Sequence, residues 1–149
     1  MLGKLNEQQI ESLFKQQVIG RLGCNNNGEV YVVPLHYTYK NSTIYCHSAP
    51  GRKIEMMRNN PQVCFQVDDI QNVFRWKSVI AWGRFEEITD LDEKEQAMQG
   101  ITHRLMPLAI NASDHPSHGI AEKESDIGTT VEPVVFKIVL SKKTGRFEE

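Results

Sequence analysis

The chain has 149 residues, is 40% hydrophobic and 24% charged, and sets 17 Lys and Arg against 19 Asp and Glu for a formal net charge of -2. These are ordinary figures for a globular chain long enough to bury a core of its own. The charge balance leaves no basic footprint for a nucleic acid, and no apolar run approaches the roughly 20 residues that span a bilayer.

In chain order, Asn6 followed three residues on by Gln9 is a capping-box signal, and Ile10, Leu13, Phe14 and Val18 recur at helical spacing. Val18 to Cys24 turns strand-like, and Asn25-Asn26-Asn27-Gly28 is a strong turn signal. Glu29 to Tyr39 is rich in β-formers but holds Pro34, which cannot donate to a ladder, so this strand is expected at an edge or a bulge. Lys40-Asn41-Ser42 turns the chain into a further strand, Thr43 to Ser48. A short helix, Gly51 to Arg58, is stopped by Asn59-Asn60-Pro61. Strands are expected over Gln62–Val67 and Trp76–Ile88, the second with a bulge at Gly83. Asp90 and Glu93 open a helix to about Met106, residues 111–130 read as a long polar loop, and Val134–Leu140 is a last strand. The sum is a mainly β, single-domain chain over residues 1–149: a six-stranded antiparallel barrel with peripheral helices.

Cys24, Cys46 and Cys64 are isolated and form no CxxC pair, so they read as buried reduced thiols and no metal site is expected. The first twelve residues lack the apolar core of a signal peptide, which makes a cytoplasmic location the expectation. His115 and His118 have a spacing that suits a metal, but the intervening proline and the lack of a carboxylate partner argue against one.

The most informative segment runs from Ile44 to Ile54. It reads as strand, loop and helix, with Arg52 and Lys53 in the helix's opening turn. A helix amino end is partially positive and favours acidic side chains by about 0.3–1 kcal/mol each. Two cations there suit an adjoining anion, and a phosphate fits helix N–H groups flanked by a cation pair. A solvated basic turn is the alternative reading of the same residues.

Five segments in order carry a resemblance: Val33-Pro34-Leu35-His36-Tyr37, Thr43-Ile44-Tyr45, His47 to Lys53, Asn59 to Val63, and Ser78 to Glu86. Together they resemble the FMN-binding split-barrel superfamily, the pyridoxamine 5'-phosphate oxidase-like proteins, and within it the nitroimidazole-resistance flavoproteins. The resemblance implies a homodimer with FMN in clefts at the subunit interface. It implies that Arg52 and Lys53 grip the phosphate and that Val33, Pro34 and Leu35 run along the flavin ring. It places His36 facing the cleft or a subunit seam, His47 and Ser48 by the ribityl–phosphate arm, and Ser78 near the flavin. His47 is the candidate catalytic residue, as a proton donor or a substrate-orienting group. Trp76 is a candidate for stacking, with barrel or seam packing as its default.

The implied function is an oxidoreductase passing electrons from a reduced nicotinamide to a small acceptor such as a nitroaromatic. A non-enzymatic flavin-binding or stress-response module is the alternative. Pyridoxamine-phosphate oxidation is a weaker one, since that branch ends in a tryptophan-bearing segment and no tryptophan follows Trp82 here. Related branches hold the deazaflavin F420 or haem in place of FMN.

Overall fold

The structure is a computed structural model and describes residues 1–111 and 132–149. Most of the segment expected as a polar loop, with His115 and His118, lies outside the described residues. Eight strands and three helices follow in chain order among those described: β1 (Leu2–Lys4), α1 (Glu7–Gln16), β2 (Ile19–Asn26), β3 (Glu29–His36), β4 (Thr38–Lys40), β5 (Thr43–Ser48), α2 (Arg52–Asn59), β6 (Gln62–Asn72), β7 (Arg75–Glu87), α3 (Leu91–Leu105) and β8 (Val134–Glu148). A single 3-10 turn, Met106–Leu108, extends α3.

All strand pairs are antiparallel, in the order β3-β2-β6-β7-β8-β5-β4, with β1 added to the far end of β8. The sheet curls into a split β-barrel whose two end strands, β3 and β4, are separated in sequence by Tyr37 alone. The expected count of six strands is therefore corrected to eight. β1 escapes the hydrophobic pattern because it is three residues long, and β4 is a separate strand because Tyr37 breaks the run expected to continue from Glu29 to Tyr39. Tyr37 buries its ring, its N–H donates to the Val18 carbonyl at 3.1 Å, and its hydroxyl donates to the Phe14 carbonyl at 2.7 Å.

Local chemistry sets the connections. Asn6 accepts from the Gln9 amide while the Gln9 side chain accepts from the Asn6 amide, both at 2.8 Å, which starts α1. Asn27 and Gly28 both take positive φ, as the two-residue β2–β3 hairpin requires, and Asn41 and Ser42 do the same between β4 and β5. Asp90 caps α3 by accepting from the Glu93 amide at 3.0 Å.

The barrel interior is filled by Leu22, Ile44, Phe65, Val67, Val79, Phe136 and Ile138, all fully buried. Ile54 and Met57 of α2 and Leu13 and Phe14 of α1 join this core. The expected irregularity at Gly83 is present, but the extra residue belongs to the partner strand. Trp82 faces Lys142 and Gly83 faces Leu140, so Ser141 of β8 is unmatched. A Cβ at Gly83 would come within 2.5 Å of the Val139 carbonyl oxygen, so only glycine allows this close approach of backbones.

Candidate functional site

The end of β3 and the end of β5 converge beside the start of α2. Between them lies a cleft of about 440 Å³, lined by Ile19, Pro34, Leu35, His36, His47, Ser48, Ala49 and Lys53. That volume is in the range of small-molecule sites. The topology produces the convergence: β3 ends the sheet, so it pairs only with β2 and turns its other edge to the cleft. The unpaired backbone groups of that edge stay available to a ligand, and Pro34, opposite Arg21, presents a carbonyl but no N–H. His47 and Ser48 end β5 and are both buried, with the Ser48 hydroxyl donating to the Ala49 carbonyl at 2.8 Å.

Lys53 is the charged group of this cleft. Burial of its ammonium lowers its pKa from the usual lysine value, with the nearby Cys24 and Cys46 thiols acting in the opposite sense. Among the described residues, no carboxylate comes within 4 Å of its Nζ. A half-buried cation without an anionic neighbour is costly, and an anion bound beside it removes that cost. The adjoining start of α2 suits the same anion. Gly51 caps it without any side-chain hydrogen bond, and a Cβ there would meet nothing within 4 Å, so the opening turn faces open space.

Arg52 behaves differently. Its guanidinium pairs with the Glu29 carboxylate and lies 5.1 Å from the centroid of the Tyr31 ring. It is not among the residues that line the cleft, and its partners lie at the start of β3, whereas the cleft takes Pro34, Leu35 and His36 from the end of that strand. The sequence presents two equivalent cations in one turn; the fold separates them into a half-buried one and an exposed, already paired one. Glu55 also occupies this first turn and offsets part of the positive charge.

The cleft thus gathers Pro34, Leu35, His36, His47, Ser48 and Lys53 of the residues expected to form the site. Val33 instead packs against the core, and Ser78 lies on β7 between Asp68 and Arg146, its hydroxyl accepting from the Gln66 side-chain amide at 3.0 Å. Neither lines the cleft within one chain. Ile19 and Ala49 line it without having been expected to. Ile19 carried a usable signal, because counting back from the Asn27-Gly28 turn pairs it with His36.

Ser78 belongs to the outer face of the sheet, where cross-strand rows can be followed in register. One row runs Val32, Gly23, Cys64, Trp82, Lys142; the next runs Pro34, Arg21, Gln66, Ile80, Thr144. Val30, Val32, Ile80 and Trp82 are exposed on this face, interleaved with Arg21, Gln66, Thr144 and Lys142, and the second row reaches the cleft at Pro34. Trp76, expected as a stacking candidate, lies on this same face two residues before Ser78, outside the cleft lining, and its indole N–H donates to Glu148 at 2.9 Å.

The sequence profile of the family described as Pyridoxamine 5'-phosphate oxidase matches residues 6–146, and the chain belongs to that family. A FAD-binding protein of Mesorhizobium loti has a similar crystal structure, with a TM-score of 0.78, 30% identity, and cover of 100% of this chain and 99% of that one. A putative 5-nitroimidazole antibiotic resistance protein of Bacteroides thetaiotaomicron superimposes with a TM-score of 0.73 at 26% identity, covering 99% of this chain and 87% of the other. An uncharacterized protein of Rhizobium meliloti is 26% identical over 146 residues, or 95% of this chain and 92% of that protein.

No described helix is long and apolar enough to cross a membrane. No group of three or more His, Cys, Asp or Glu among the described residues is placed to hold a metal ion.

Proposed function

We propose that the chain is a flavoprotein that binds FMN in the Lys53 cleft and works as an oxidoreductase on small acceptors such as nitroaromatics, with a reduced nicotinamide as donor. The observation that carries the reading is Lys53: a half-buried ammonium without a carboxylate neighbour, beside an uncapped helix start. Lys53 and the α2 N–H groups would hold the flavin phosphate, and Pro34–His36 would offer edge backbone to the ring. The flavin-binding relative in Mesorhizobium loti supports the cofactor class, and the nitroimidazole-resistance relative supports the acceptor class.

When bound, the flavin supplies the electron-transfer chemistry. The residues of the chain do the rest. The free backbone edge of β3 would orient the ring, Leu35 and Ile19 would exclude water from one side, and His47, which lines the cleft at the end of β5, would deliver a proton to the acceptor. His36, exposed at the cleft edge, is a second imidazole on the acceptor's path.

The active form in this reading is a homodimer. The row through Ile80 reaches the cleft at Pro34, and exposed Val32 and Trp82 lie in the next row, so a second copy packed on this face would wall the cleft's open side. Ser78 lies on that same outer face and would reach the flavin only across such an interface.

The test is the visible spectrum of the purified protein, the mass of any released chromophore, and nicotinamide consumption with a panel of nitroaromatics. A bound flavin of FMN mass with acceptor-dependent turnover supports the proposal. Bound flavin without turnover supports a non-enzymatic binder, and a deazaflavin or haem spectrum contradicts the cofactor assignment.

A further inference from the structure

A second cavity, of about 490 Å³, lies between α3 and the β4–β5 hairpin. It is distinct from the Lys53 cleft, though β5 serves both, with His47 in the cleft and Tyr45 in the cavity. His36 at the end of β3 lines the cleft, and Thr38 at the start of β4 lines the cavity. Tyr45 and His47 share one side of β5 and are about 7 Å apart along it, from the strand rise per residue.

Its walls combine flat apolar surface with unbalanced positive charge. Half-buried Tyr39 and Tyr45 contribute rings from the strands, and α3 faces them with Ala97 and Gly100. A Cβ on Gly100 would meet nothing within 4 Å, so the gap is open at that point of the helix. Three basic side chains line the cavity: Lys15, Lys40 and Arg104. Among the described residues, none of them has a carboxylate within 4 Å. The one lining carboxylate, Glu93, is neutralised by Lys137 at 2.7 Å. Arg104 is also held in place: one of its guanidinium nitrogens donates to the carbonyls of Lys15 and Gln16, at 2.7 and 3.0 Å, at the carboxyl end of α1.

From this combination we infer that the α3 cavity is a ligand site for small planar aromatic carboxylates. The tyrosine rings take the aromatic body and the cationic rim takes the carboxylate. A neutral aromatic would leave the positive rim unmatched, and a bare inorganic anion would leave the ring surface wet. The inference stands apart from the flavin reading, because no lining residue is shared between the two sites.

The probe is salicylate, titrated into the purified protein by calorimetry, with benzyl alcohol and inorganic phosphate as controls. Wild type should bind one salicylate per chain, and each control at least tenfold more weakly. Gly100→Leu fills the open space and replaces a poor helix former with a good one, so α3 should persist while salicylate affinity falls at least tenfold. The exposed double variant Lys15→Gln/Lys40→Gln should weaken salicylate and leave benzyl alcohol unchanged. Flavin content, measured on the same samples, should be the same in wild type and Gly100→Leu. The inference is overturned if wild type does not bind salicylate, if Gly100→Leu binds it equally well, or if benzyl alcohol matches it.

Discussion

The guanidinium of Arg52 lies over the Tyr31 ring at 5.1 Å and pairs with Glu29 at the start of the same strand, β3. This places the two cations of one helical turn in different roles. Lys53 faces the cleft with no carboxylate beside it, while Arg52 must leave an existing partner before it can serve a phosphate.

A consequence is that Glu29→Gln should improve FMN affinity. Both members of the Arg52–Glu29 pair are more than half exposed, so the pair contributes only about 0.2–1 kcal/mol, and freeing Arg52 should tighten binding by a factor of about two to five. Arg52→Ala should weaken it by a similarly small factor. Fluorescence titration with FMN measures both; a loss of affinity in Glu29→Gln would place Arg52 outside the site.

Affinity for FMN should also fall at alkaline pH. The folded pKa of Lys53 is depressed below its ordinary 10.5 because burial disfavours its charge. As pH rises through that lowered value, the ammonium of the free protein is lost and the attraction for a phosphate goes with it. Without ligand the sign for stability is the reverse. Between the folded and unfolded pKa values the unfolded chain binds more protons, so the Lys53 contribution makes the apoprotein more stable as pH rises. Titrations from pH 7 to 10.5 should show weakening of FMN binding in wild type and a flat profile in Lys53→Ala.

His47→Asn should retain FMN within a factor of about three and reduce turnover, on the order of the 10²–10⁴-fold that a positioned proton donor contributes. Steady-state rates with several acceptors check this, and unchanged rates with all of them would reduce His47 to a wall of the cleft.

A stability prediction concerns the network that ties α1 to the barrel. Lys143 donates to Glu11, Ser42 and Tyr39 at 2.6, 2.8 and 3.0 Å, and the Tyr39 hydroxyl donates to Glu11 at 2.7 Å. Burial alone would raise the Glu11 pKa, but the bonds from Lys143 and Tyr39 outweigh it and hold the group below its ordinary 4.5. The stabilisation is therefore complete above pH 4.5 and lost as pH falls through the lower folded value. Glu11→Gln should cost about 1–3 kcal/mol at neutral pH, a difference from wild type that shrinks in acid, as urea melts at pH 7 and pH 3 would show.

Much of this arrangement could be read from the sequence, because its signals are local. Asn6 with Gln9, Asn27-Gly28, Asp90 with Glu93 and Asn60-Pro61 each fix an element boundary by chemistry within four residues. Pro34 correctly marked an edge strand. The parts that were not legible depend on distant partners. Ser141–Glu148 continues β8 with an alternation too polar to announce a strand, and it holds because β7 on one side and β1 on the other supply its bonds. Asp68 and Asp69 look like loop residues, yet β6 runs through them, with Asp68 paired to Arg21 at 2.8 Å. The division of labour between Arg52 and Lys53 was likewise hidden, since Glu29 lies 23 residues from Arg52 and only the fold brings them together.

The central claim is that Lys53 holds a phosphate-bearing flavin, and comparing FMN with riboflavin tests it most directly. Wild type should prefer FMN over riboflavin, and Lys53→Ala should lose about ten- to hundredfold of its FMN affinity, as expected for one charge-assisted contact of about 1.5–3 kcal/mol, while its riboflavin affinity stays the same. Equal binding of the two flavins by wild type, or an FMN affinity untouched by Lys53→Ala, would contradict the account.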